Sequence, residues 1–119
     1  MSECRVYRLS TIPEDRPIER LRRRRVIGEQ AMLSDVHLDK GCDVQMHAHP
    51  NEQFAFVMTG RLRFAIGDPN GNGSREIVVE AGEVLHLPSN VPHAAFALED
   101  SHVLDVFSPP SERTGIDRR

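Results

Sequence analysis

Two histidines separated by one residue are the strongest chemical signal in this sequence. His47 and His49 lie in the stretch GCDVQMHAHPNEQFAFVMTG, residues 41–60, which otherwise has the composition of β-strands. Alternate side chains of a strand project from the same face, so both imidazoles are expected on one face. Two imidazoles on one face can bind a single metal ion, which makes this stretch a candidate metal site.

A third imidazole is available from a second stretch, GEVLHLPSNVPH, at residues 82–93. A predicted strand runs into Pro88, the chain turns at Ser89 and Asn90, and His93 follows Pro92. We therefore expect His93 to be presented at the end of a turn, where it could approach the first pair.

The spacing within these two stretches resembles the two motifs of the cupin superfamily. The first runs from Gly41 through His47, His49 and Gln53 to Gly60, and the second from Gly82 through Pro88 to His93. The resemblance covers roughly residues 30–108. It implies an all-β, single-domain fold, a jelly-roll-like antiparallel β-barrel, in which His47, His49, Gln53 and His93 bind a metal ion.

A glutamine stands at position 53, where the cupin motif usually has glutamate. Three neutral imidazoles and a neutral amide leave a divalent ion its full formal charge, which favours Lewis-acid over redox chemistry. Glu52 is the alternative ligand and would give the two-His-one-carboxylate set of iron oxygenases, but its strand parity directs it away from the cavity. Nickel, zinc, iron, manganese and cobalt all remain candidates for the divalent ion.

Strand parity extends the prediction beyond the ligands. Gln45 should face the cavity with His47 if its strand is regular, so we include Gln45 among the residues of the substrate pocket. On the next strand, Phe54, Phe56 and Met58 should face outward. An apolar outer face indicates packing against the N-terminal segment or a second subunit, and we predict a homodimer.

Asp105 is the candidate catalytic residue. It shares a strand face with Phe107 in the stretch HVLDVFSPP, which resembles the small pectin-degradation cupins of the KdgF type. That resemblance implies Asp105 as acid/base and Phe107 in the pocket. The arginine expected after SPP is replaced by Ser111, and Arg113, two residues later, is the candidate replacement. A solvated, non-catalytic Asp105 is the alternative.

These residues predict a metal-binding protein, leaning toward an enzyme, that acts on a small, anionic, oxygen-rich substrate. The resemblance implies non-redox ring opening, or isomerisation, of an unsaturated sugar acid such as a 4,5-unsaturated uronate. The alternatives are a metal-dependent dioxygenase using the same ligands and a non-catalytic module that binds a small metabolite.

The elements that must position this site are short strands separated by turns, a pattern typical of a sandwich or barrel. A length of 119 residues fits one domain. We predict an N-terminal extension at 1–29, a cupin barrel at 30–108 and a mobile C-terminal tail at 109–119. Predicted strands cover residues 6–9, 30–38, 44–49, 53–59, 61–66, 77–79, 84–87, 94–98 and 103–107.

Charge and hydropathy exclude several classes of partner. A net charge of −3 argues against a nucleic-acid binder, so we interpret the basic run Arg22–Arg25 as part of a solvated, helix-like lead-in. No apolar run approaches the roughly 20 residues needed to cross a bilayer, and the N-terminus lacks a signal-peptide core. We expect a cytoplasmic protein whose Cys4 and Cys42 are not joined in a disulfide.

Overall fold

The structure is a computed structural model, and it describes residues 3–68 and 70–116. Over these residues the chain forms nine strands and one short 3₁₀ helix, Leu9–Thr11. The strands are β1 (Leu21–Ile27), β2 (Met32–Leu38), β3 (Asp43–His47), β4 (Glu52–Thr59), β5 (Arg61–Gly67), β6 (Ser74–Glu80), β7 (Val84–Leu87), β8 (His93–Ala97) and β9 (Ser101–Ser108).

The strands form two antiparallel sheets that enclose the core. One sheet has the order β1-β2-β9-β4-β7 and the other β3-β8-β5-β6. Apart from the β1-β2 and β5-β6 pairs, neighbours in each sheet are not consecutive in sequence, as in a jelly roll, where the chain passes repeatedly from one sheet to the other. The predicted all-β jelly-roll fold is confirmed.

Alternation along the strands puts one apolar face of each sheet inside. Leu62 and Phe64 on β5 are buried and Ile66 packs against the core, because alternate side chains of a strand share one face. On β4, Ala55 and Val57 are fully buried beside Gln53. The buried core residues Leu21, Val36, Leu38, Val44, Val79, Ala95, Ala97 and Val103 join them from the other strands.

The outward face of β4 is exposed and apolar. Phe54 and Met58 are each 42% exposed, and Val84 on the neighbouring strand β7 is 56% exposed. This agrees with the predicted direction of these side chains, while the homodimer stays a prediction. In the described part of the chain, no helix has the length and apolar character required to span a membrane.

The prediction of a helix-like lead-in at the arginine run is wrong. Residues 21–27 form β1, which pairs antiparallel with β2 along its whole length, so the sheet begins inside the predicted N-terminal extension. Arg23 is only 4% exposed, and its guanidinium group bonds both carboxylate oxygens of Asp15. Four consecutive arginines hide the alternation of a strand because inward and outward positions have the same residue type.

Two further predictions fail at the ends of the chain. The possible edge strand at residues 6–9 is absent; this segment is exposed and ends in the 3₁₀ helix. The described part of the C-terminal segment, residues 109–116, is not a mobile tail. Thr114 is 4% exposed and Ile116 packs against the core cluster. A hydrogen bond from Asn51 to the carbonyl of Pro109 ties the segment to the rest of the domain.

We expect Gly60 to be required by the β4–β5 turn. Its φ of +91° is left-handed, and a Cβ would overlap the carbonyl of Asp100 and the side chain of Ser101. Gly60→Ala should lower the unfolding free energy in urea by at least about 3 kcal/mol, from backbone strain plus overlap. Gly82→Ala is the matched control because Gly82 has a φ of +89° in open space; it should lose only about 1–2 kcal/mol. Equal losses would contradict the role of close approach.

Candidate metal centre

Three imidazoles converge at one end of the space between the sheets. His47 ends β3, His49 lies in the loop before β4, and His93 begins β8 directly opposite His47. One ring nitrogen from each lies within 4.8 Å of the others. The ring centroids of His47 and His93 are 4.3 Å apart, and those of His49 and His93 are 5.0 Å apart. The sequence prediction that these three side chains meet agrees with this arrangement.

Backbone carbonyls fix the tautomer of every imidazole in the cluster. Nδ1 of His47 lies 2.8 Å from the carbonyl oxygen of Gln45, Nδ1 of His49 lies 3.0 Å from that of Asn51, and Nδ1 of His93 lies 2.9 Å from that of Val91. A carbonyl oxygen only accepts, so each Nδ1 must carry the proton. Each Nε2 is then a lone-pair donor suited to a metal ion, in the arrangement common for metal-binding histidines.

Gln53 adds a fourth donor atom. Its Nε2 donates to Asp105 Oδ1 at 2.9 Å, which directs the amide oxygen Oε1 toward His49. Oε1 and His49 Nε2 are 3.1 Å apart. With the proton on Nδ1 of His49, these two facing atoms are both acceptors, and a cation between them would satisfy both. The neutral set of three imidazoles and one amide therefore fits a divalent metal ion.

Burial keeps His93 neutral. His93 is 3% exposed, and desolvation lowers the pKa of its imidazole to about 4, with His47 and His49 acting in the same direction and the bond to Val91 opposing them. A neutral imidazole is the form that binds metal, so His93 is in the binding form at neutral pH without loss of a proton.

The cluster opens into a cavity of about 70 Å³ between the sheets. Such a volume has room for a metal ion with a few water-sized ligands. Phe107 is buried in the wall, with its ring centroid 5.5 Å from that of His49. Asp105 lines the same wall, where burial raises the pKa of its carboxyl group to about 7, while the hydrogen bond from Gln53 opposes that rise. A bound cation would lower this pKa.

Gln45 does not line this cavity, so its assignment to the substrate pocket is wrong. The register of β3 against β8 shifts between Val44 and His47, which marks a β-bulge. Val44 is buried, Gln45 and Met46 both face out, and His47 faces in. The extra residue breaks the period of two on which the prediction depended. Gln45 instead lines a separate surface hollow with Asp43.

Arg113 also lies outside the metal cavity. It is exposed and lines an adjacent surface hollow. The arginines that do line the cavity are Arg23 and Arg25 of β1, which the sequence analysis assigned to a solvated segment. The C-terminal segment also reaches the site: Thr114 lines the cavity, and a Cβ on Gly115 would lie 2.6 Å from Cδ2 of His47. No spacing signal in the sequence marks either contribution.

Glu52 points away from the cavity, as its strand parity predicted. Its carboxylate lies 2.7 Å from Nε2 of His86 on the outer face of the sheet, where the His86 ring stacks on Phe54. Glu52 therefore cannot supply the carboxylate of a two-His-one-carboxylate ligand set in this arrangement.

A second group of possible ligands, Asp35, His37 and His102, lies on the outer face of the five-stranded sheet. Here hydrogen bonding within the group satisfies the polar atoms without a metal ion. Nε2 of His102 lies 2.6 Å from Asp35 Oδ1, and the two imidazoles stack at 4.2 Å. Arg22 and Arg24 also face this group and disfavour a further cation. It is best described as a hydrogen-bonded polar cluster, in which His37 Nε2 also lies 3.5 Å from Asp35 Oδ2.

A sequence profile of the cupin domain matches residues 34–107, a range that contains both motifs and all four donor residues. The chain belongs to the cupin family. No curated protein sequence matched it. The predicted cupin membership is confirmed.

Solved cupin structures have the same fold. KdgF from Halomonas sp. matches with a TM-score of 0.81 and 22% identity over 92% of this chain and 97% of its own. An RmlC-like cupin from Shewanella frigidimarina matches with a TM-score of 0.78 and 24% identity over 93% and 95%. Oxalate decarboxylase from Bacillus subtilis, described with Mn(II) centres, matches with a TM-score of 0.81 and 24% identity. That match covers 92% of this cupin but 31% of the decarboxylase, so this cupin spans about a third of its length.

We expect His47→Ala and His93→Ala each to remove most bound metal from protein purified without an affinity tag, while the fold persists on its separate apolar core. Metal content, measured by elemental analysis, is the direct readout. A metal added to wild type at 100 times its dissociation constant should raise the unfolding free energy by about 2.7 kcal/mol.

His86→Ala is the matched control, because it removes a histidine from the same domain but outside the cluster. It should keep both the metal and the stabilisation. Stoichiometric metal in both cluster variants would contradict the ligand assignment.

Proposed function

We propose that this cupin is a metal-dependent enzyme that opens the ring of a small unsaturated sugar acid, such as a 4,5-unsaturated uronate, or isomerises it, without net oxidation or reduction. The observation that carries the proposal is the placement of Asp105. A carboxyl group able to exchange a proton lines the same small cavity as a neutral metal-binding set, and one amide joins the two.

The chemistry needs one proton removed and one delivered. Opening a cyclic hemiacetal removes the proton of the C1 hydroxyl, breaks the bond between C1 and the ring oxygen, and leaves an aldehyde at C1. In a 4,5-unsaturated uronate the former ring oxygen then belongs to an enol, which becomes a ketone when C4 gains a proton. Atoms and electrons balance without an oxidant or a reductant.

Asp105 is suited to this transfer. A group whose pKa lies near the working pH can both accept and return a proton. The Gln53 amide donates to Oδ1 of Asp105 at 2.9 Å, which fixes the orientation of the carboxyl group. Phe107 and the apolar wall exclude water from the surroundings of that proton.

His47, His49, Gln53 and His93 would hold the divalent ion. When bound, such an ion polarises the oxygen atoms of a substrate and stabilises negative charge on them. The ligand set supports this role over redox chemistry because it supplies no anionic donor to stabilise a trivalent ion. The outward direction of Glu52 supports the same choice. The similarity of the fold to KdgF is consistent with the proposal.

Asp105→Asn is the first test. It keeps the shape of the side chain and removes its acid/base function, so metal content should be unchanged and activity should fall by about 10²–10⁴-fold. The assay follows loss of the ultraviolet absorbance of an unsaturated monouronate by the wild type and the variant, together with oxygen consumption.

If wild type does not accelerate the loss of absorbance above its spontaneous rate, the ring-opening proposal is overturned. Oxygen uptake would then favour a dioxygenase, and substrate binding without turnover would favour a binding module. An active wild type with an equally active Asp105→Asn variant would retain the function and remove Asp105 from the mechanism.

Gln53→Glu tests the link between the metal set and Asp105. The new carboxylate should keep or tighten metal binding, because it adds an anionic donor. Glutamate has no N–H to donate to Asp105, so two carboxyl groups about 3 Å apart should shift each other's pKa values, and turnover should fall by at least about tenfold. Metal content and initial rates measured on the same preparation decide the outcome; increased turnover would count against the non-redox proposal.

A further inference from the structure

The arginine run of β1 contributes to both faces of its sheet. Arg22 and Arg24 face outward, whereas Arg23 and Arg25 line the metal cavity. Register places Arg25 opposite Ser34 and Ser34 opposite Asp105 on the next strand. Arg25 therefore lies in the same cross-strand row as Asp105, two strand spacings or about 10 Å away between backbones. A long arginine side chain and a single sugar ring can together cover that distance.

The same two arginines also line a surface hollow beside the cavity. Its lining includes four guanidinium groups, Arg16, Arg23, Arg25 and Arg113, and two carboxylates, Asp15 and Glu112. These residues have a formal excess of two positive charges in a chain whose net charge is −3. Arg23 and Arg25 belong to the linings of both spaces, so this hollow, which we call the basic entrance, adjoins the metal cavity.

Contacts within this basic entrance separate structural arginines from those that face the opening. Arg23 is 4% exposed and bonds Asp15 through Nε and Nη2, so it holds the segment before β1 in place. Arg25 is 21% exposed; its Nη1 donates to the carbonyl of Glu112 at 2.6 Å, and its Nη2 lies 3.6 Å from Asp15, beyond hydrogen-bond distance. Arg25 is thus held by the C-terminal segment, and its guanidinium group lies in the lining of the basic entrance without a close hydrogen bond to Asp15.

Arg113 also lines the basic entrance. The hydroxyl of Ser111 donates to the carbonyl of Arg113 at 2.7 Å and accepts from its backbone N–H at 3.2 Å, which closes a tight turn. This turn places Arg113 beside Arg25 in the lining of the basic entrance. Two guanidinium groups at one opening form a suitable binding site for a carboxylate.

We propose that Arg25, assisted by Arg113, binds the carboxylate of the sugar acid at the basic entrance while the reacting end of the ring lies between Asp105 and the histidine cluster. This inference rests on the proposed function for the identity of the substrate. The anion-binding role, for which Arg113 was the candidate in the sequence, is thereby assigned mainly to Arg25 on β1. Arg25 is a specificity residue in this scheme, and Arg23 positions it.

The test compares Arg25→Gln with Arg22→Gln. Both remove one positive charge from the same strand, but Arg22 is on the outer face, where its contact with Glu14 is 3.8 Å. Arg25→Gln should raise KM for the unsaturated uronate about tenfold with little change in kcat, because a charge-assisted hydrogen bond is lost. Arg113→Gln, at an exposed position, should raise KM a few-fold. Arg22→Gln should match wild type.

Binding without turnover makes the result independent of the proposed reaction. Calorimetry should show that saturated galacturonate, which lacks the double bond, binds wild type more tightly than neutral galactose. That preference should decrease at high salt and disappear in Arg25→Gln. Thermal unfolding of each variant confirms that it is folded.

Galacturonate binding that depends on Arg25, in a protein without ring-opening activity, would overturn the proposed function and keep the carboxylate site. Ring opening with equal KM values in Arg25→Gln and Arg22→Gln would keep the function and overturn the site. Equal affinity of wild type for galactose and galacturonate would also overturn the site.

Discussion

Three hydrogen bonds from imidazole Nδ1 to backbone carbonyls determine the chemistry of this cupin. In each case the acceptor is two residues from the histidine: Gln45 for His47, Asn51 for His49 and Val91 for His93. The tautomer is therefore set by local chain conformation, and the two sheets only have to bring the three rings together. Since Nδ1 keeps its proton, the cluster presents lone pairs at one point with no proton to bridge them, which favours a cation there.

Gln53 makes the metal site and Asp105 a single unit. An amide has one acceptor and one donor, so bonding its Nε2 to Asp105 places its oxygen toward His49. Glutamate, the usual residue of the motif, would place a negative charge beside the ion and would have no amide N–H to donate to Asp105. The substitution at position 53 therefore changes two properties together: the ion keeps more of its charge, and the carboxyl group keeps a fixed orientation. Neither consequence could be seen from the ligand spacing alone.

The spacing of residues within the two motifs predicted the part of the site that depends on residues near each other in the sequence. The motifs gave His47, His49, Gln53 and His93, and strand parity placed Gln53 inside and Glu52 outside. Parity failed at Gln45 because a β-bulge adds a residue between Val44 and His47. The alternation of β1 was invisible because Arg22–Arg25 repeat one residue type, and a strand of arginines has no polar pattern to detect. The inward fold of residues 109–116 depends on single contacts far apart in sequence, such as Arg25 with the Glu112 carbonyl.

The arrangement of charge along the cavity limits what it can select. Much of the cavity lining is apolar, and it includes Val44, Leu62 and Phe64. A ligand must therefore place its polar atoms toward the donor cluster, Asp105 and Arg25, which together span about two strand spacings. An extended acid would leave polar groups against the apolar wall, and that desolvation would cost binding energy. A compact molecule with its oxygens on one side and a carboxylate at one end meets the neutral donor set and the basic entrance at once. In the proposed binding mode, the order of these groups from the cluster to the basic entrance would orient the ligand, and the same set of side chains would select both its size and its charge.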